Sequence, residues 1–275
     1  MPVIDFHIHV ARIEDYHPWV IDWTTSNIGR ETAESYVRHY LTPTGINELL
    51  DDNGVDYGVA LAEMSPISTG ITTNESVAAF CKGNPRLFAF ASINPYMIAR
   101  PADELRRCAT ELGMRGLKLY PTYQYFYPNE PMLYPVYAVA QELDLPVMLH
   151  TGSSVFRGSR IKYGDPLYLD DVAVDFPDLK ILLVHSGRGF WYDQAAFLAR
   201  LHENVYMEIS GLPPAKLLQY FPDLERLAPK VVFGSDWPGM PFIARNIQAI
   251  RDLPLTDQAK ELILGGNAAH ILGIT

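Results

Sequence analysis

The chain has little cysteine and no long hydrophobic run. Its only cysteines among 275 residues are Cys81 and Cys108, whose separation matches no metal or redox motif, so we expect both to be reduced residues of the core. No apolar run approaches the roughly 20 residues that cross a bilayer. The first ten residues carry Asp5, His7 and His9 instead of the apolar segment of a signal peptide. These absences predict a cytoplasmic protein with no membrane association.

Positive charge is also scarce. The 22 Lys and Arg residues are outnumbered by 32 Asp and Glu residues, which gives a formal net charge of −10. Nucleic-acid binding requires a basic surface, and no Lys/Arg cluster stands out, so we exclude nucleic acid as a partner. The partner that we expect is a small-molecule substrate. Association of copies of an acidic chain with itself is compatible with this composition.

What the chain has is a regular alternation of strand and helix patterns. With 48% hydrophobic residues it can bury a sizeable core. The β-branched runs are almost continuously apolar, as expected of parallel strands that are covered on both faces. The eight predicted strands are residues 3–10, 57–62, 87–93, 116–120, 146–150, 180–185, 205–209 and 231–235. The predicted helices are residues 44–53, 73–82, 101–112, 131–143, 169–176, 190–202, 214–227 and 241–252, with a final pair after Pro254.

Eight strands that are each followed by a helix predict an α/β fold, the (β/α)₈ or TIM barrel, as one domain over residues 1–275. Two predicted loops, 11–43 and 151–167, are longer than a connection needs. Loops that follow barrel strands form the active face, so we expect both to cover a pocket.

Histidines lie at the carboxyl ends of the predicted strands. His7 and His9 are two positions apart and therefore on one face of strand one, His150 and His185 end strands five and six, and Asp236 follows strand eight. A lone histidine at such a position is more often a hydrogen-bonded core or rim residue. Parallel strands, however, bring all five side chains to one mouth, where their desolvation is costly unless they coordinate something. The pattern therefore predicts a metal site.

The ligand types indicate which metal. Because the donors are mostly imidazole nitrogens, one Zn²⁺ is favoured over Mg²⁺ or Ca²⁺, with Mn²⁺ or Fe²⁺ as alternatives. Three histidines and one carboxylate leave a coordination position for water or substrate. No organic cofactor is expected.

Five motifs distributed over the chain carry a family resemblance. "IDFHIH", "GLKLYP", "VMLHTG", "LVHSGRG" and "VVFGSDWP" resemble the amidohydrolase superfamily, which has a barrel of the metal-dependent hydrolase type. They are most similar to the amidohydrolase-related group that includes aminocarboxymuconate-semialdehyde decarboxylase. The resemblance implies that His7, His9, His150 and Asp236 hold one divalent metal. It also implies that His185 acts as an acid/base and that Asp236 shuttles a proton as well as binding the metal.

Lys118 in "GLKLYP" has three interpretations. Superfamily members with two metals carry a carboxylated lysine on strand four, and His150 and His185 would then bind the second ion. The local motifs favour one metal, in which case Lys118 is a cation that binds substrate or supports the site. An ion pair with a carboxylate at the rim explains Lys118 equally well.

Three further residues are candidate substrate contacts. Arg188 lies in "SGRGF", where a helix should begin, and could bind a carboxylate with its side chain. A surface ion pair explains Arg188 almost as well. Tyr120 and Trp237 are candidates for an aromatic wall, although packing beneath the loops would also explain them.

Two reactions and one non-catalytic role fit these residues. In hydrolysis, a metal-activated water attacks the ester, lactone or amide carbonyl of a small, carboxylate-bearing substrate. The alternative is non-oxidative decarboxylation of an aromatic or muconate-type acid. A barrel that only binds a ligand is the third possibility. The chain lacks the large insertions that we expect of decarboxylases in this group, so the sequence favours hydrolysis.

Overall fold

The computed structural model describes residues 1–26 and 29–274. Three residues lie outside the described ones. They are residues 27 and 28, in the predicted loop 11–43, and residue 275, at the end of the predicted barrel. The described residues form ten strands, which in chain order are β1 (Ile4–His9), β2 (Tyr57–Leu61), β3 (Glu63–Ser65), β4 (Gly70–Thr72), β5 (Leu87–Ser92), β6 (Leu117–Leu119), β7 (Val147–Gly152), β8 (Ile181–Arg188), β9 (Val205–Glu208) and β10 (Val231–Val232).

Eight of these strands form one parallel sheet in the order β1-β2-β5-β6-β7-β8-β9-β10. The first and last strands meet through backbone hydrogen bonds from Phe6 N–H to the Phe233 carbonyl (3.1 Å) and from His9 N–H to the Trp237 carbonyl (2.8 Å). These bonds close the sheet into a cylinder. The structure confirms the (β/α)₈ barrel, and each predicted strand overlaps one of the eight barrel strands, although the last, predicted over 231–235, is only Val231–Val232.

Helices surround the cylinder. Their bounds are α1 (Pro18–Thr25), α2 (Arg30–Tyr40), α3 (Gly45–Asp52), α4 (Asn74–Cys81), α5 (Pro101–Thr110), α6 (Pro121–Gln124), α7 (Tyr134–Glu142), α8 (Leu169–Asp175), α9 (Tyr192–Leu201), α10 (Leu217–Tyr220), α11 (Leu224–Leu227), α12 (Ile243–Arg251), α13 (Asp257–Glu261) and α14 (Asn267–Leu272). The continuous helix predicted over 214–227 is wrong. Pro222 lies between α10 and α11, and proline cannot donate the backbone hydrogen bond of a helix interior.

The apolar core has two parts. The larger cluster lies between the sheet and the helices, and the smaller one, which includes Ile4, Phe6, Phe90 and Met148, fills the cylinder. Phe6 and Phe90 pack edge to face with ring centroids 5.6 Å apart. A filled interior is what this fold requires, and it leaves the mouth of the barrel as the place for a pocket.

The long connections contain structure that the sequence patterns did not predict. Helices α1 and α2 lie in the predicted loop 11–43, and β3 and β4 pair as an antiparallel hairpin directly after β2. The second loop, 151–167, contains short 3₁₀ turns. Within the described residues, no helix is both long enough and apolar enough to cross a membrane.

Candidate metal centre and pocket

A break in the regular pairing of β1 turns both histidines of "IDFHIH" toward the pocket. Ile4 and Phe6 face the inside of the cylinder, whereas Ile8 packs in the outer cluster, and the register of β1 against β2 shifts between Asp5 and Ile8. Side chains alternate along a strand, and a bulge reverses which of them face inward. As a result His7 and His9 line the pocket above the filled core.

His7, His9 and Asp236 converge on one point. His7 Nε2 lies 3.1 Å from His9 Nε2, and Asp236 Oδ1 lies 3.4 Å from His7 Nε2 and 3.3 Å from His9 Nε2. A point close to the plane of such a triangle is about 2.1 Å from all three atoms, which is the usual distance of nitrogen and oxygen ligands from zinc. The donor set therefore fits a divalent cation.

The outer nitrogen of His7 is held by a relay through Ser210. The Ser210 hydroxyl donates to Glu208 Oε2 (2.8 Å), so that its oxygen can only accept from His7 Nδ1 at 2.9 Å. His7 Nδ1 therefore carries the proton, and the lone pair of Nε2 faces the cluster. A ligand histidine whose other nitrogen is bonded in this way is fixed in ring orientation and tautomer.

His9 faces a carboxylate at a distance longer than a hydrogen bond. Its Nδ1 lies 3.7 Å from Glu63 Oε2, and Glu63 also accepts a hydrogen bond from the Thr69 hydroxyl of the neighbouring hairpin. Burial raises the pKa of Glu63 above its usual value. The hairpin β3–β4 thus supports the second histidine of the pair.

His185 and Asp236 both adopt left-handed backbone conformations, with φ of 61° and 68°. Such conformations are uncommon for residues other than glycine and cluster at functional sites. His185 Nδ1 donates to the Ser210 carbonyl at 2.8 Å, which leaves its Nε2 without a proton when the ring is neutral. The ring of His185 stacks on that of His7 with centroids 5.3 Å apart.

His7, His185 and Glu208 form a second group of closely spaced donor atoms. The Ser210 hydroxyl oxygen already lies among them, 2.9 Å from His7 Nδ1, 3.0 Å from His185 Nδ1 and 2.8 Å from Glu208 Oε2. This second group is therefore a hydrogen-bonded network centred on the Ser210 hydroxyl, and its central position is already filled. Only the first group, His7, His9 and Asp236, leaves room for a cation among the described donor atoms.

His150 lies beside the first group without belonging to it. Its ring centroid is 4.7 Å from that of His185 and 4.9 Å from that of Tyr123, and its Nε2 is 3.4 Å from the Ser153 carbonyl. It lines the same pocket. Its role as a fourth ligand remains a prediction.

The electrostatics of the cluster favour cation binding. Burial lowers the pKa of His7, His150 and His185 well below the usual value, so these rings are neutral and keep a lone pair. Burial opposes ionisation of Asp236, but the nearby His7 and a hydrogen bond with His9 outweigh it and hold the pKa of Asp236 well below its usual value. Neutral imidazoles and an ionised carboxylate are the forms that bind a metal.

Lys118 lies on β6, and its side chain is completely buried. Its Nζ has no hydrogen-bond partner among the described residues and lies 4.7 Å from the centroid of the Tyr120 ring. Burial lowers the pKa of Lys118 to about 8. The interpretation of Lys118 as one half of an ion pair at the rim is wrong, because within the described chain Lys118 makes no ion pair and is not exposed.

The pocket lies at the mouth of the barrel and is partly open to solvent. Beside the polar cluster it is lined by Tyr120, Tyr123, Trp23 and Phe156, so that one wall is aromatic. Trp237, a predicted substrate contact, is not part of this lining. Its side chain is fully buried in the outer core, and its indole N–H donates to the Tyr36 hydroxyl at 3.3 Å.

Arg188 reaches the pocket from the end of β8 and is half-buried. Its Nε and Nη2 donate to the Ser153 carbonyl (3.3 and 2.9 Å), and no carboxylate of the described residues forms an ion pair with it. A Cβ on Gly211 would lie 2.6 Å from Nη1, so that glycine leaves space for the guanidinium. The structure supports the pocket position of Arg188 over the surface ion pair.

Sequence patterns assigned no role in the site to Ser210, Glu63 or Glu208. All three follow or end strands that were themselves predicted, which is the one sequence signal that they share. Their partners come from other strands, so the contacts become visible only in the folded barrel.

Known proteins of similar sequence include two curated decarboxylases. The chain is similar to the gamma-resorcylate decarboxylase of Rhodococcus jostii (strain RHA1), with 27% identity over 216 residues, which cover 60% of this chain and 64% of the relative. It is also similar to the 2-amino-3-carboxymuconate-6-semialdehyde decarboxylase of Dictyostelium discoideum, with 24% identity over 238 residues, 73% of this chain and 65% of the relative. The chain thus spans less than two thirds of the length of these relatives.

A solved structure of similar fold is an uncharacterised TIM-barrel protein from Bordetella bronchiseptica. It has a TM-score of 0.81 and 24% identity, and the match covers 100% of this chain and 99% of that one. This likeness supports the barrel. Residues 4–274 match the sequence pattern of the amidohydrolase family, which is nearly the whole chain. The resemblance inferred from the motifs is therefore confirmed, and the chain belongs to the amidohydrolase family.

Proposed function

We propose that the protein is a metal-dependent carboxy-lyase that removes CO₂, without oxidation, from a small aromatic or unsaturated carboxylic acid. The observation that carries this proposal is the convergence of His7, His9 and Asp236 at the floor of a pocket with an aromatic wall. His185, a free acid/base beside the cluster, is not needed by a barrel that only binds a ligand.

The relatives favour one of the two reactions. The curated relatives described above are decarboxylases, and they support the carboxy-lyase alternative better than the hydrolysis that the sequence alone favoured. The short chain is a weak argument for hydrolysis, because the chain matches these decarboxylases although it is shorter than they are.

The proposed metal ligands are His7, His9 and Asp236, with His150 as the fourth. The nitrogen-rich set favours Zn²⁺, with Mn²⁺ or Fe²⁺ as alternatives. When bound, the cation would act as a Lewis acid toward a carboxylate or neighbouring oxygen of the substrate.

His185 is the proposed proton carrier. Since its Nδ1 donates to the Ser210 carbonyl, the Nε2 atom takes a proton and delivers it to the carbon that loses CO₂. The bond between that carbon and the carboxylate breaks, CO₂ leaves, and the electron pair remains on the carbon and forms the new C–H bond. Asp236 is a second group that can carry the proton.

The aromatic side chains hold the plane of the substrate. Tyr123 and Phe156 present ring faces and edges to the pocket, with centroids 6.4 Å apart. Arg188 at the pocket edge supplies a cation for a substrate carboxylate. A planar acid is thereby positioned with its reacting carbon toward His185.

The test is a product assay on protein of measured metal content. The protein is incubated with dihydroxybenzoates, unsaturated dicarboxylic acids, lactones and carboxylate esters, and both released CO₂ and ring-opened or cleaved acids are measured. We expect CO₂ from at least one acid, abolished in His185→Gln and retained in His270→Gln, which changes an exposed histidine. Turnover of lactones or esters without CO₂ release would overturn the proposal.

A further inference from the structure

The ammonium group of Lys118 is buried and has no hydrogen-bond or ion-pair partner among the described residues. The residue lies in the middle of β6, lines the pocket and has no solvent exposure. Its Nζ has no hydrogen-bond acceptor in the described part of the chain. A buried cation without a hydrogen-bond acceptor is costly, and an anion that binds in the pocket would offset this cost.

The nearby carboxylates are already engaged by other groups. Glu208 accepts hydrogen bonds from Ser210 N–H and the Ser210 hydroxyl, both at 2.8 Å. Glu63 accepts from the Thr69 hydroxyl, and Asp236 faces the two histidines of β1. None of these carboxylates has Lys118 as a hydrogen-bond or ion-pair partner.

We infer that Lys118 binds a second acidic group of the substrate, and that the pocket therefore selects a planar dicarboxylic acid over a monocarboxylic one. One carboxylate belongs at the metal cluster, where the reaction takes place, and the other pairs with Lys118. This inference rests on the proposed function in one respect, because it takes the pocket beside the cluster as the place where substrate binds.

The surroundings of Lys118 suit an anion on a flat molecule. Tyr120 lies against the ammonium at 4.7 Å and its ring is nearly parallel to that of Tyr123, with an interplanar angle of 18°. Arg188 lines the same pocket as a second cationic side chain. The two carboxylates of the lining are engaged elsewhere, Asp236 by the two histidines of β1 and Glu63 by the Thr69 hydroxyl. Lys118 and Arg188 therefore favour a ligand with two negative charges.

Equilibrium binding tests the inference without requiring turnover. Metal-loaded protein is titrated calorimetrically with benzoate and with the three benzenedicarboxylates, in the wild type, in Lys118→Met and in Lys82→Met, which changes an exposed lysine. We expect one dicarboxylate to bind at least about tenfold more tightly than benzoate, as a charge-assisted hydrogen bond allows. Lys118→Met should lose this preference, and Lys82→Met should keep it.

Two results would overturn the inference. One is an equal affinity of the wild type for benzoate and for every dicarboxylate, which needs no variant and so does not depend on the folding of Lys118→Met. The other is a carboxylated Lys118, seen as a mass increase of one CO₂, a carbamate signal after loading with ¹³C-bicarbonate, and two metal ions per chain.

The outcome is distinguishable from a failure of the proposed function. Preferential binding of a dicarboxylate through Lys118, without release of CO₂ from any acid, would support the inference and contradict the carboxy-lyase. Release of CO₂ from a monocarboxylic acid at the same kcat/KM in the wild type and in Lys118→Met would support the carboxy-lyase and contradict the role of Lys118.

Discussion

The Asp5 carboxylate accepts a hydrogen bond of 2.8 Å from the backbone N–H of Ser235, although 230 positions separate the two residues. The same oxygen also accepts from the N–H of His7 at 3.1 Å. One side chain thereby ties the strand that carries His7 and His9 to the segment that carries Asp236.

Replacement of Asp5 should change the pH dependence of stability. Burial raises the pKa of Asp5 to about 7, so the folded protein keeps a proton that the unfolded chain loses above about pH 4. The contribution of Asp5 to the free energy of unfolding therefore falls as pH rises from about 4 to 7, by up to about 1.4 kcal/mol per pH unit, and is constant above that range. In Asp5→Asn the amide oxygen can accept the same two hydrogen bonds without a charge.

The measurement is urea unfolding of metal-free protein at pH 5, 6, 7 and 8. Between pH 5 and pH 7 the free energy of unfolding of Asp5→Asn should rise by roughly 2 kcal/mol relative to that of the wild type. Asp178→Asn, which changes an exposed aspartate, controls for the loss of a carboxylate as such. If the free energy of unfolding varied with pH in the same way in the wild type and in Asp5→Asn, the raised pKa of Asp5 would be contradicted.

Metal content should separate the ligands from the acid/base. His7→Gln and Asp236→Asn remove donor atoms that lie 3.1 to 3.4 Å from the other members of the cluster, and both variants should lose bound metal. His185→Gln should retain the metal and lose turnover, because its Nδ1 is bonded to the Ser210 carbonyl outside the cluster. The readout is elemental analysis after dialysis.

His150→Gln decides the fourth position in the same experiment. Partial or complete loss of metal would support the ligand role that the resemblance implies, and His270→Gln serves as the exposed control. If His185→Gln lost as much bound metal as His7→Gln, a site with a single ion would be contradicted and a site with two ions would be favoured.

Much of this arrangement was predictable because its signals are local in sequence. The eight apolar runs, and the histidines and aspartate at their ends, depend only on strand patterns and on the common direction of parallel strands. The break in register between Asp5 and Ile8, which turns both His7 and His9 inward, could not be predicted, because the residue types give no signal for it.

Trp237 shows where a sequence position misleads. It follows Asp236 directly and was predicted to share the pocket. Residue 237 instead pairs with Ile8 as part of the barrel wall, and neighbouring side chains in such a segment point to opposite faces. Ser210 and Glu208 could not be assigned for a different reason, because their partners lie on β1 and β8.

Removal of the Ser210 hydroxyl should weaken metal binding. Ser210→Ala leaves His7 Nδ1 and Glu208 Oε2 without their shared partner, so the His7 ring is less well oriented. Loss of such an orienting contact typically costs about 10-fold or more in metal affinity. The dissociation constant is measured by competition with a chromogenic chelator.

Ser92→Ala is the matched control, because Ser92 is also a buried serine but its hydroxyl has no hydrogen-bond partner among the described residues. It should bind metal as the wild type does. Unchanged affinity in Ser210→Ala would mean that Glu208 alone orients His7, and the relay would be wrong.

The two long connections meet at the pocket through Trp23 of α1 and Phe156 of the loop 151–167. Their rings pack edge to face with centroids 5.2 Å apart, and both line the pocket. Since such a pair contributes about 0.5–1.5 kcal/mol, Trp23→Ala and Phe156→Ala should each weaken benzoate binding by roughly three- to tenfold. Leu167→Ala, an exposed residue outside the pocket lining, should not weaken it.

A double-mutant cycle tests whether the two segments act together over the ligand. If the rings contact each other in the ligand-bound protein, the double variant should lose less binding free energy than the sum of the two single variants. Full additivity would mean that α1 and the loop contribute separately, and the expectation that they form a joint cover would be wrong. The free energy of unfolding should change little in either single variant, because both rings are only half-buried and the barrel closes without them.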